Sequence, residues 1–151
     1  MLEQLLNSYL FKDIDINHLQ DIEQFTAKCE FEDGDIIINE NDTRDCDIYF
    51  LLSGQVEILS TSGHLANNEV VISSHEKDIL GEITWILRNK RTATVRSVGD
   101  SFLLKIDGLK LEAYFENNHH AGYQFMKQIS KLLARRLVST DDLLKQVLWN
   151  L

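Results

Sequence analysis

The hydrophobic pattern of this chain changes period twice, and this restricts the folds open to it. Near both ends, apolar residues recur at the spacing of an amphipathic helix. In the middle, runs rich in β-branched and aromatic residues are separated by Asp-Gly, Ser-Gly, Ser-Gly-His and Gly-Asp turn signals. These runs are residues 36–38, 48–52, 56–59, 70–72, 93–98 and 102–106. Many short strands at regular spacing predict a β-barrel or β-roll, here with helices on either side.

The two flanking segments predict helices of different length. Residues 2–10 carry apolar side chains at helical spacing, and a second short helix is expected to begin near Asn17 as its N-cap. After residue 107 the helical period returns and continues almost to the end. There, intervals of four and three separate Leu133, Leu137, Thr140, Leu144, Val147 and Leu151. This spacing is typical of a coiled-coil seam, so one side of the helix can pack on the roll while another meets a second copy.

Composition excludes several classes of function. The formal charge of −9 and the pI near 4.9 argue against binding DNA or an anionic membrane surface, because both require a basic surface. Cys29 and Cys46 are too few for a disulfide framework and favour a reducing compartment. No stretch reaches the ~18 apolar residues of a membrane span, and Glu3 stands where a signal peptide carries Lys or Arg. We therefore expect a single cytoplasmic domain.

Residues 81–95 contain several groups suited to one phosphate. Gly81 allows close approach of the backbone, a short helical stretch points its first N–H groups outward, and Arg91 adds a planar fork of charged donors. Glu82 is an acceptor for hydroxyl protons of a sugar attached to that phosphate. The implied ligand is a nucleotide with a single negative charge.

The spacing of these residues resembles the phosphate-binding cassette of the cyclic nucleotide-binding domain family. In that family Gly-Glu opens a short helix, and Arg plus a small residue close it. Upstream, Phe31-Glu-Asp-Gly34-Asp-Ile-Ile-Ile and Asp47-Ile-Tyr-Phe-Leu-Leu-Ser-Gly54-Gln-Val-Glu-Ile are similar to the opening strands of the family's β-roll. Downstream, Ala134-Arg-Arg-Leu137 resembles the start of the long C-terminal helix in its catabolite-activator branch. The resemblance covers roughly residues 17–150.

This resemblance implies an α+β, mainly β, fold in one domain over residues 1–151. N-terminal helices are expected in residues 1–28, and an antiparallel, jelly-roll-like β-roll in residues 29–106, with the cassette helix inserted at 81–95. C-terminal helices are expected in residues 107–151. In the family, nucleotide binding at the cassette moves the long C-terminal helix as a lid. The coiled-coil seam described above also predicts a homodimer that forms through this helix.

The resemblance also gives roles to individual residues. Arg91 is expected to pair with the phosphate, and Glu82 to accept the ribose 2′-hydroxyl. Thr140 falls where the catabolite-activator branch places a threonine that contacts the purine. The ligand-binding set implied is Gly81, Glu82, Ile83, Thr84, Arg91, Thr92, Ala93 and Thr140. The ligand implied is cAMP or cGMP. In the family, a threonine at the position of Thr92 is associated with acceptance of guanine, but it also occurs in domains that bind cAMP, so both nucleotides remain open.

Several positions depart from the family pattern. Lys90 stands where many members have proline, and Arg88 where a small residue is common. Asn41 replaces part of a Glu-Gly turn, but asparagine tolerates the left-handed backbone conformation that the turn needs. Trp85 replaces a leucine and is expected to fill the core, where its indole N–H needs a partner. Asp141 replaces the usual serine, which leaves the cross-subunit contact to the purine in doubt.

Other chemistries have little support in the sequence. The adjacent pair His119-His120 points in directions about 100 degrees apart on a helix, with no other metal ligand at suitable spacing. No nucleophile or acid–base pair stands out, so we expect neither catalysis nor a metal. Two alternatives to a stand-alone sensor stay open. One is a ligand-free dimerisation module of the same fold, and the other is a sensor segment of a larger signalling enzyme.

Overall fold

The computed structural model describes the backbone of residues 1–61, 69–74 and 79–151, and the side chains of residues 1–59 and 79–151. The helices in these residues are α1 (Leu2–Asn7), α2 (Ile16–Glu23), α3 (Glu82–Leu87), α4 (Gly108–Asn117) and α5 (His119–Trp149). The strands are β1 (Thr26–Phe31), β2 (Ile36–Ile38), β3 (Ile48–Thr61), β4 (Glu69–Ser74), β5 (Ile79–Leu80) and β6 (Thr94–Ile106). The Ser-Gly-His turn predicted at residues 62–64 lies outside the described residues.

The strands form one antiparallel sheet whose centre is the long pair β3 and β6. Its order is β1-β6-β3-β4, with β2 also paired to β6 and β5 also paired to β3. Helix α3 is inserted between β5 and β6, and α4 and α5 follow the last strand. This arrangement confirms the predicted α+β fold with a β-roll, an inserted short helix and a long C-terminal helix.

Alternate residues of β3 belong to two separate apolar clusters. Ile48 and Phe50 belong to a cluster that includes residues of the helices. Tyr49 and Leu51, which follow them in the chain, belong to a cluster formed by residues of the strands. Residues that share the first cluster include Leu5, Leu19, Leu111 and Phe125. Since successive side chains of a strand point to opposite faces, β3 separates the interior of the roll from the layer of helices.

Two glycines lie inside strands where the sequence predicted turns. Gly54 (φ +93°) and Gly99 (φ +68°) adopt left-handed conformations, and the β3–β6 register shifts on both sides of Ser53. The strands bend at these points and continue, so the four predicted runs beside the two glycines are parts of only two strands, β3 and β6. The prediction of separate strands was wrong because a left-handed glycine marks a bend as readily as a turn.

The N-terminal segment differs from the prediction in two details. Asp15, not Asn17, is the N-cap of α2, and its carboxylate accepts a hydrogen bond of 2.9 Å from the backbone N–H of Asn17. Strand β1 begins at Thr26, within the segment that we expected to be helical. Thr26 is paired with Ile106, so the first strand joins the end of the last one.

Helix α5 changes character along its length. Its first half packs on the core through Ala121, Phe125, Ile129 and Leu132. Beyond Leu133, which is half-buried against the core, the helix exposes large apolar side chains that include Leu137, Val138, Leu143, Leu144, Val147 and Leu148. None of the helices in the described residues combines the length and hydropathy needed to cross a membrane.

Substitution of Gly54 tests the importance of the bend in β3. A Cβ atom at Gly54 would collide with the carbonyl oxygen of Asp100 and lie 2.8 Å from Cα of Ser101, both backbone atoms. We expect Gly54→Ala to lower the free energy of unfolding by about 3 kcal/mol, from the left-handed backbone and the collision together. Urea denaturation measures the change.

Gly34→Ala is the matched control for this substitution. Gly34 has a similar φ of +86°, but a Cβ atom there would meet nothing within 4 Å. Its cost should therefore be the backbone term alone, about 1–2 kcal/mol. Equal losses in the two variants would show that β3 and β6 do not approach as closely as the structure indicates.

Candidate functional site

Gly81 occupies the junction between β5 and α3. Its φ is +86°, and a Cβ atom at this position would lie 2.6 Å from both Nη1 of Arg91 and the carbonyl oxygen of Asp47. Two groups therefore crowd the backbone here, one charged and one polar. Only glycine fits this position without displacing the guanidinium.

Arg91 is buried, with 3% of its surface exposed. Its Nη1 donates to the carbonyl oxygen of Gly81 at 3.3 Å, and its Nη2 donates to the carbonyl oxygen of Asp47 at 3.0 Å and to the carboxylate of Asp45. The backbone of Arg91 is also paired: its N–H donates to Asp42 O, and its carbonyl accepts from Asn41, both at 2.9 Å. The side chain is thus fixed in one position, with a negative partner at its exposed side.

The turn that contacts Arg91 has the backbone conformation expected from the sequence. Asn41 has a φ of +67°, which confirms that it adopts the left-handed region. Asparagine is among the few residues other than glycine that do so at low cost. The turn therefore survives the departure from the family's Glu-Gly pattern.

Glu82, the first residue of α3, is also 3% exposed. Its carboxylate pairs with the guanidinium of Arg136, which comes from α5. Arg136 donates a second hydrogen bond, of 3.2 Å, to the carbonyl oxygen of Ile79 in β5. One arginine therefore ties the long C-terminal helix to both sides of Gly81.

Glu82, Arg91 and Arg136 face one cleft with a volume of about 130 Å³. The other residues that line it are Ile38, Ile58, Ile79, Leu80, Gly81, Ile83, Thr84, Thr92, Ala93 and Val95. The cleft combines apolar side chains of the roll with a carboxylate and two guanidinium groups. Such a surface suits a ligand with a flat apolar part and an anionic part.

Seven of the eight predicted site residues line this cleft, and Thr140 does not. Thr84 is buried, whereas Thr92 is exposed and Ile83 is 38% exposed. Thr140 lies one turn beyond Arg136 on α5, and its hydroxyl donates to the carbonyl oxygen of Arg136 at 2.9 Å. Thr140 is exposed, so its predicted role depends on a change in the position of α5 or on a second copy.

The chain also matches known proteins. The sequence profile of the cyclic nucleotide-binding domain family matches residues 28–118. The chain belongs to this family. Among curated proteins, the cAMP-dependent protein kinase regulatory subunit of Dictyostelium discoideum is 30% identical over 79 residues, which are 51% of this chain and 24% of that relative. The match thus covers about a quarter of the relative's length.

Solved structures agree with the family membership. A protein from Geobacter metallireducens GS-15, named as a cyclic nucleotide-binding protein, has a TM-score of 0.76 and 26% identity, covering 89% of this chain and 96% of that one. The catabolite activator protein of Thermus thermophilus has a TM-score of 0.73 and 22% identity, covering 91% of this chain and 62% of that one. The second likeness concerns the fold alone.

Three residues of the cleft region were not selected from the sequence: Asp45, Asp47 and Arg136. The two aspartates lie in an acidic stretch just before β3, and Arg136 belongs to the Ala-Arg-Arg-Leu motif. The available signals were an acidic stretch that precedes a strand and a pair of arginines in an amphipathic helix. Neither signal says which charge turns toward the cleft, since that depends on how distant segments pack.

The cassette helix α3 is anchored on its other side by Trp85. The indole N–H donates to the carbonyl oxygen of Gly108 at 2.9 Å, and the ring packs edge-on against Phe125 of α5 at 5.8 Å. Trp85 is 7% exposed, which confirms that it fills the core and that its N–H has a partner. Arg88, the C-cap of α3, contacts the thiol of Cys46 and pairs with Glu112 of α4.

Two neighbouring groups have altered proton affinities. The carboxylate of Asp47 accepts from Lys105 at 2.9 Å and raises the pKa of that ammonium group. Burial raises the pKa of Tyr49. Both groups therefore keep their protons at neutral pH, and Lys105 supplies a positive charge beside the aspartates.

Within the described residues, no group of three or more His, Cys, Asp or Glu side chains is arranged to hold a metal ion. His119 and His120 are exposed in the first turn of α5.

The pair between Glu82 and Arg136 leads to a prediction about stability. We expect Arg136→Leu to lower the free energy of unfolding by about 1–3 kcal/mol, because the buried Glu82 loses a charged partner. In a Glu82→Gln background the same replacement should cost less, with a coupling of about 1 kcal/mol between the two changes. Urea denaturation of the four proteins gives the coupling.

Arg135→Leu controls for loss of an arginine at the neighbouring position of α5. Arg135 is exposed, so its replacement should change the stability by less than about 0.5 kcal/mol. Equal effects of Arg136→Leu in both backgrounds would contradict an energetic link between α5 and Glu82.

Proposed function

We propose that this chain is a regulatory module that binds a cyclic nucleotide, cAMP or cGMP, in the cleft between Glu82 and Arg91. One observation supports this most strongly. A buried guanidinium and a buried carboxylate face the same cleft, one from each end of the segment that joins β5 to β6. Their chemistry complements the two polar parts of a cyclic nucleotide, the anionic phosphate and the ribose hydroxyl.

In the proposed complex, Arg91 pairs with the phosphate and Glu82 accepts the ribose 2′-hydroxyl. Gly81 and Ile83 offer backbone N–H groups, and Thr84, Thr92 and Ala93 complete the wall of the cleft. The phosphate takes the place of Asp45 as the anion beside Arg91. Asp45 is 42% exposed, so water can solvate its carboxylate after the exchange.

The proposed output of binding is a change in the position of α5. Arg136 of this helix pairs with Glu82, the proposed ribose acceptor. A ligand that contacts Glu82 therefore shares this acceptor with Arg136 and lies next to α5. This geometry supports the family's lid-like movement for the present chain, with Arg136 as the group that senses the ligand.

Of the two cyclic nucleotides, cAMP is the first ligand to test. The name of the Dictyostelium relative includes dependence on cAMP. Thr92, an exposed residue next to Arg91, carries a hydroxyl group that is compatible with guanine. We therefore include cGMP as the second ligand. No catalytic step is proposed, and with a formal charge of −9 we expect no DNA binding by this chain.

The exposed half of α5 supports a homodimer as part of the proposal. Leu137, Leu144 and Val147 are 63%, 55% and 52% exposed, and they follow the coiled-coil intervals predicted from the sequence. Pairing with a second α5 would bury this seam. The pairing would also bring Thr140, which belongs to the same seam, next to another subunit.

Calorimetry with cAMP and cGMP tests ligand binding. We expect binding by the parent protein and a loss of about 10- to 100-fold in affinity for Arg91→Lys, because lysine cannot reproduce the fork of donors that meets the phosphate. Binding should also raise the melting temperature, since the ligand binds only the folded state.

Two further variants make the calorimetry decisive. Arg44→Lys alters an arginine that pairs with Asp42 at the surface, and it should leave the affinity unchanged. Asp45→Asn removes the competing carboxylate and should strengthen binding. No heat and no thermal shift with either nucleotide at millimolar concentration would instead support the ligand-free dimerisation module.

The homodimer has a test of its own. We expect Leu144→Glu to convert the dimer into a monomer, because a carboxylate in the seam would be buried without a partner. Sedimentation velocity measures the mass. Gln146→Glu adds the same charge on another side of the exposed helix and should leave the dimer intact, so dissociation of both variants would contradict the assignment of the seam.

A further inference from the structure

The coiled-coil seam of α5 begins earlier in the helix than the sequence indicated. Tyr123, Met126 and Ser130 precede Leu133 at intervals of three, four and three residues, so they continue the spacing of the seam. Tyr123 and Met126 are 62% and 37% exposed, although they lie in the half of α5 that packs on the core. The seam therefore extends over residues 123–151.

The residues on the two flanks of the seam carry opposite charges. In coiled-coil notation the seam residues occupy positions a and d, and positions e and g lie on either side of them. Over residues 129–148, position g is occupied by Ile129, Arg136 and Leu143, and position e by Ala134, Asp141 and Leu148. Each flank therefore has one charged residue in this range, an arginine on one side and an aspartate on the other.

These flanks are complementary when two helices run parallel. In a parallel pair, each g position faces the e position of the next heptad on the partner. Arg136 then faces the partner's Asp141, and Leu143 faces the partner's Leu148. Leu143 and Leu148 are exposed in the single chain, so the same pairing covers apolar surface outside the seam.

An antiparallel pair gives Arg136 no such charge. In that arrangement g positions face g positions, and none of the g positions along this seam is acidic. Among the flanking positions, only the parallel arrangement brings a carboxylate to Arg136.

Arg136 has donors left for a second carboxylate. Its Nη1 pairs with Glu82 and its Nη2 donates to the carbonyl oxygen of Ile79, but a guanidinium carries five N–H groups. The side chain of Arg136 is 40% exposed. Asp141 is exposed as well, and none of the ion pairs formed by the described residues includes it. A second copy can therefore reach both side chains.

We propose that Asp141 of each subunit pairs with Arg136 of the other subunit in the homodimer. Arg136 lines the cleft, so the second copy contributes a carboxylate to the proposed nucleotide site. Arg136 then bridges two carboxylates, Glu82 of its own chain and the partner's Asp141, and both subunits hold it at the cleft. The inference rests on the homodimer of the proposed function and not on nucleotide binding.

Sedimentation equilibrium without nucleotide tests the ion pair. We expect Asp141→Asn to weaken dimerisation about tenfold, because each dimer loses two partly exposed ion pairs. In an Arg136→Gln background the same change should alter the dissociation constant by less than about twofold, since the pair is already broken.

Asp142→Asn is the matched control for the loss of one negative charge. Asp142 is the next residue of α5, lies away from the seam, and pairs with Lys145 of its own helix at 3.3 Å. Its replacement should leave the dissociation constant of the dimer unchanged. Both aspartates are exposed, so neither variant removes a contact of the core.

Cysteine cross-linking tests the parallel register independently of the charges. In a parallel, in-register pair each seam residue meets its own copy, so Leu144→Cys should form a disulfide-linked dimer on mild oxidation. Gln146→Cys, on another side of α5, should not. The parent protein, which keeps Cys29 and Cys46, controls for links through the native thiols. A non-reducing gel gives the result.

Three results would overturn the ion pair although the parent is a dimer. They are equal effects of Asp141→Asn and Asp142→Asn, an effect of Asp141→Asn that survives in the Arg136→Gln background, and a Leu144→Cys dimer that does not cross-link. A monomeric parent would overturn the homodimer and this pair with it. Absence of nucleotide binding by an intact dimer would concern the proposed ligand alone.

Discussion

The burial of one guanidinium group determines the arrangement around the cleft. A charge with 3% of its residue surface exposed needs protein partners in place of water, and Arg91 finds them in the carbonyl groups of Gly81 and Asp47 and in the carboxylate of Asp45. These partners come from the segments before β3 and after β5, while Arg91 itself precedes β6. Two segments that are distant in sequence, 45–47 and 81–91, are thus held together by one side chain. The position of α3, which begins directly after Gly81, follows from this requirement.

A second buried charge connects this arrangement to the long helix. Glu82 follows Gly81 in the chain, but its partner, Arg136, lies 54 residues away on α5. The hydrogen-bond partners of the Arg91 side chain lie before β3 and at the end of β5, whereas the guanidinium that pairs with Glu82 comes from α5. The contact between Trp85 and Gly108 joins α3 to α4 and is not part of either charged pair. The two buried charges of the cleft therefore differ in whether their charged partner belongs to the roll or to the long helix.

The features that depend on local sequence signals were predicted from the sequence. The features that depend on contacts between distant segments were missed. Period and turn residues predicted the strands of the roll and the helical C-terminal segment, and the resemblance to the family implied the inserted helix and a common site for Glu82 and Arg91. The bends at Gly54 and Gly99 were read as turns, because only the register of β3 against β6 shows that the strands continue. Asp45 and Arg136 were missed because the partner of a charge is decided by packing. For Thr140, the sequence gives a place on the helix but not its distance from the cleft.

The solvent exposure of the two charged pairs indicates which member of each pair a ligand could replace. In each pair one member is buried and the other lies near water: the side chains of Arg91 and Glu82 are 3% and 4% exposed, and those of Asp45 and Arg136 are 42% and 40% exposed. A phosphate monoanion can replace Asp45 beside Arg91 without changing the charge balance of the buried site. A ribose hydroxyl is neutral, so it cannot replace the positive charge that Arg136 brings to Glu82. Because a carboxylate accepts several hydrogen bonds, the hydroxyl and Arg136 are expected to share Glu82. On this argument the proposed ligand would leave Arg136 in place and add contacts beneath α5, which favours closure of the helix over the cleft.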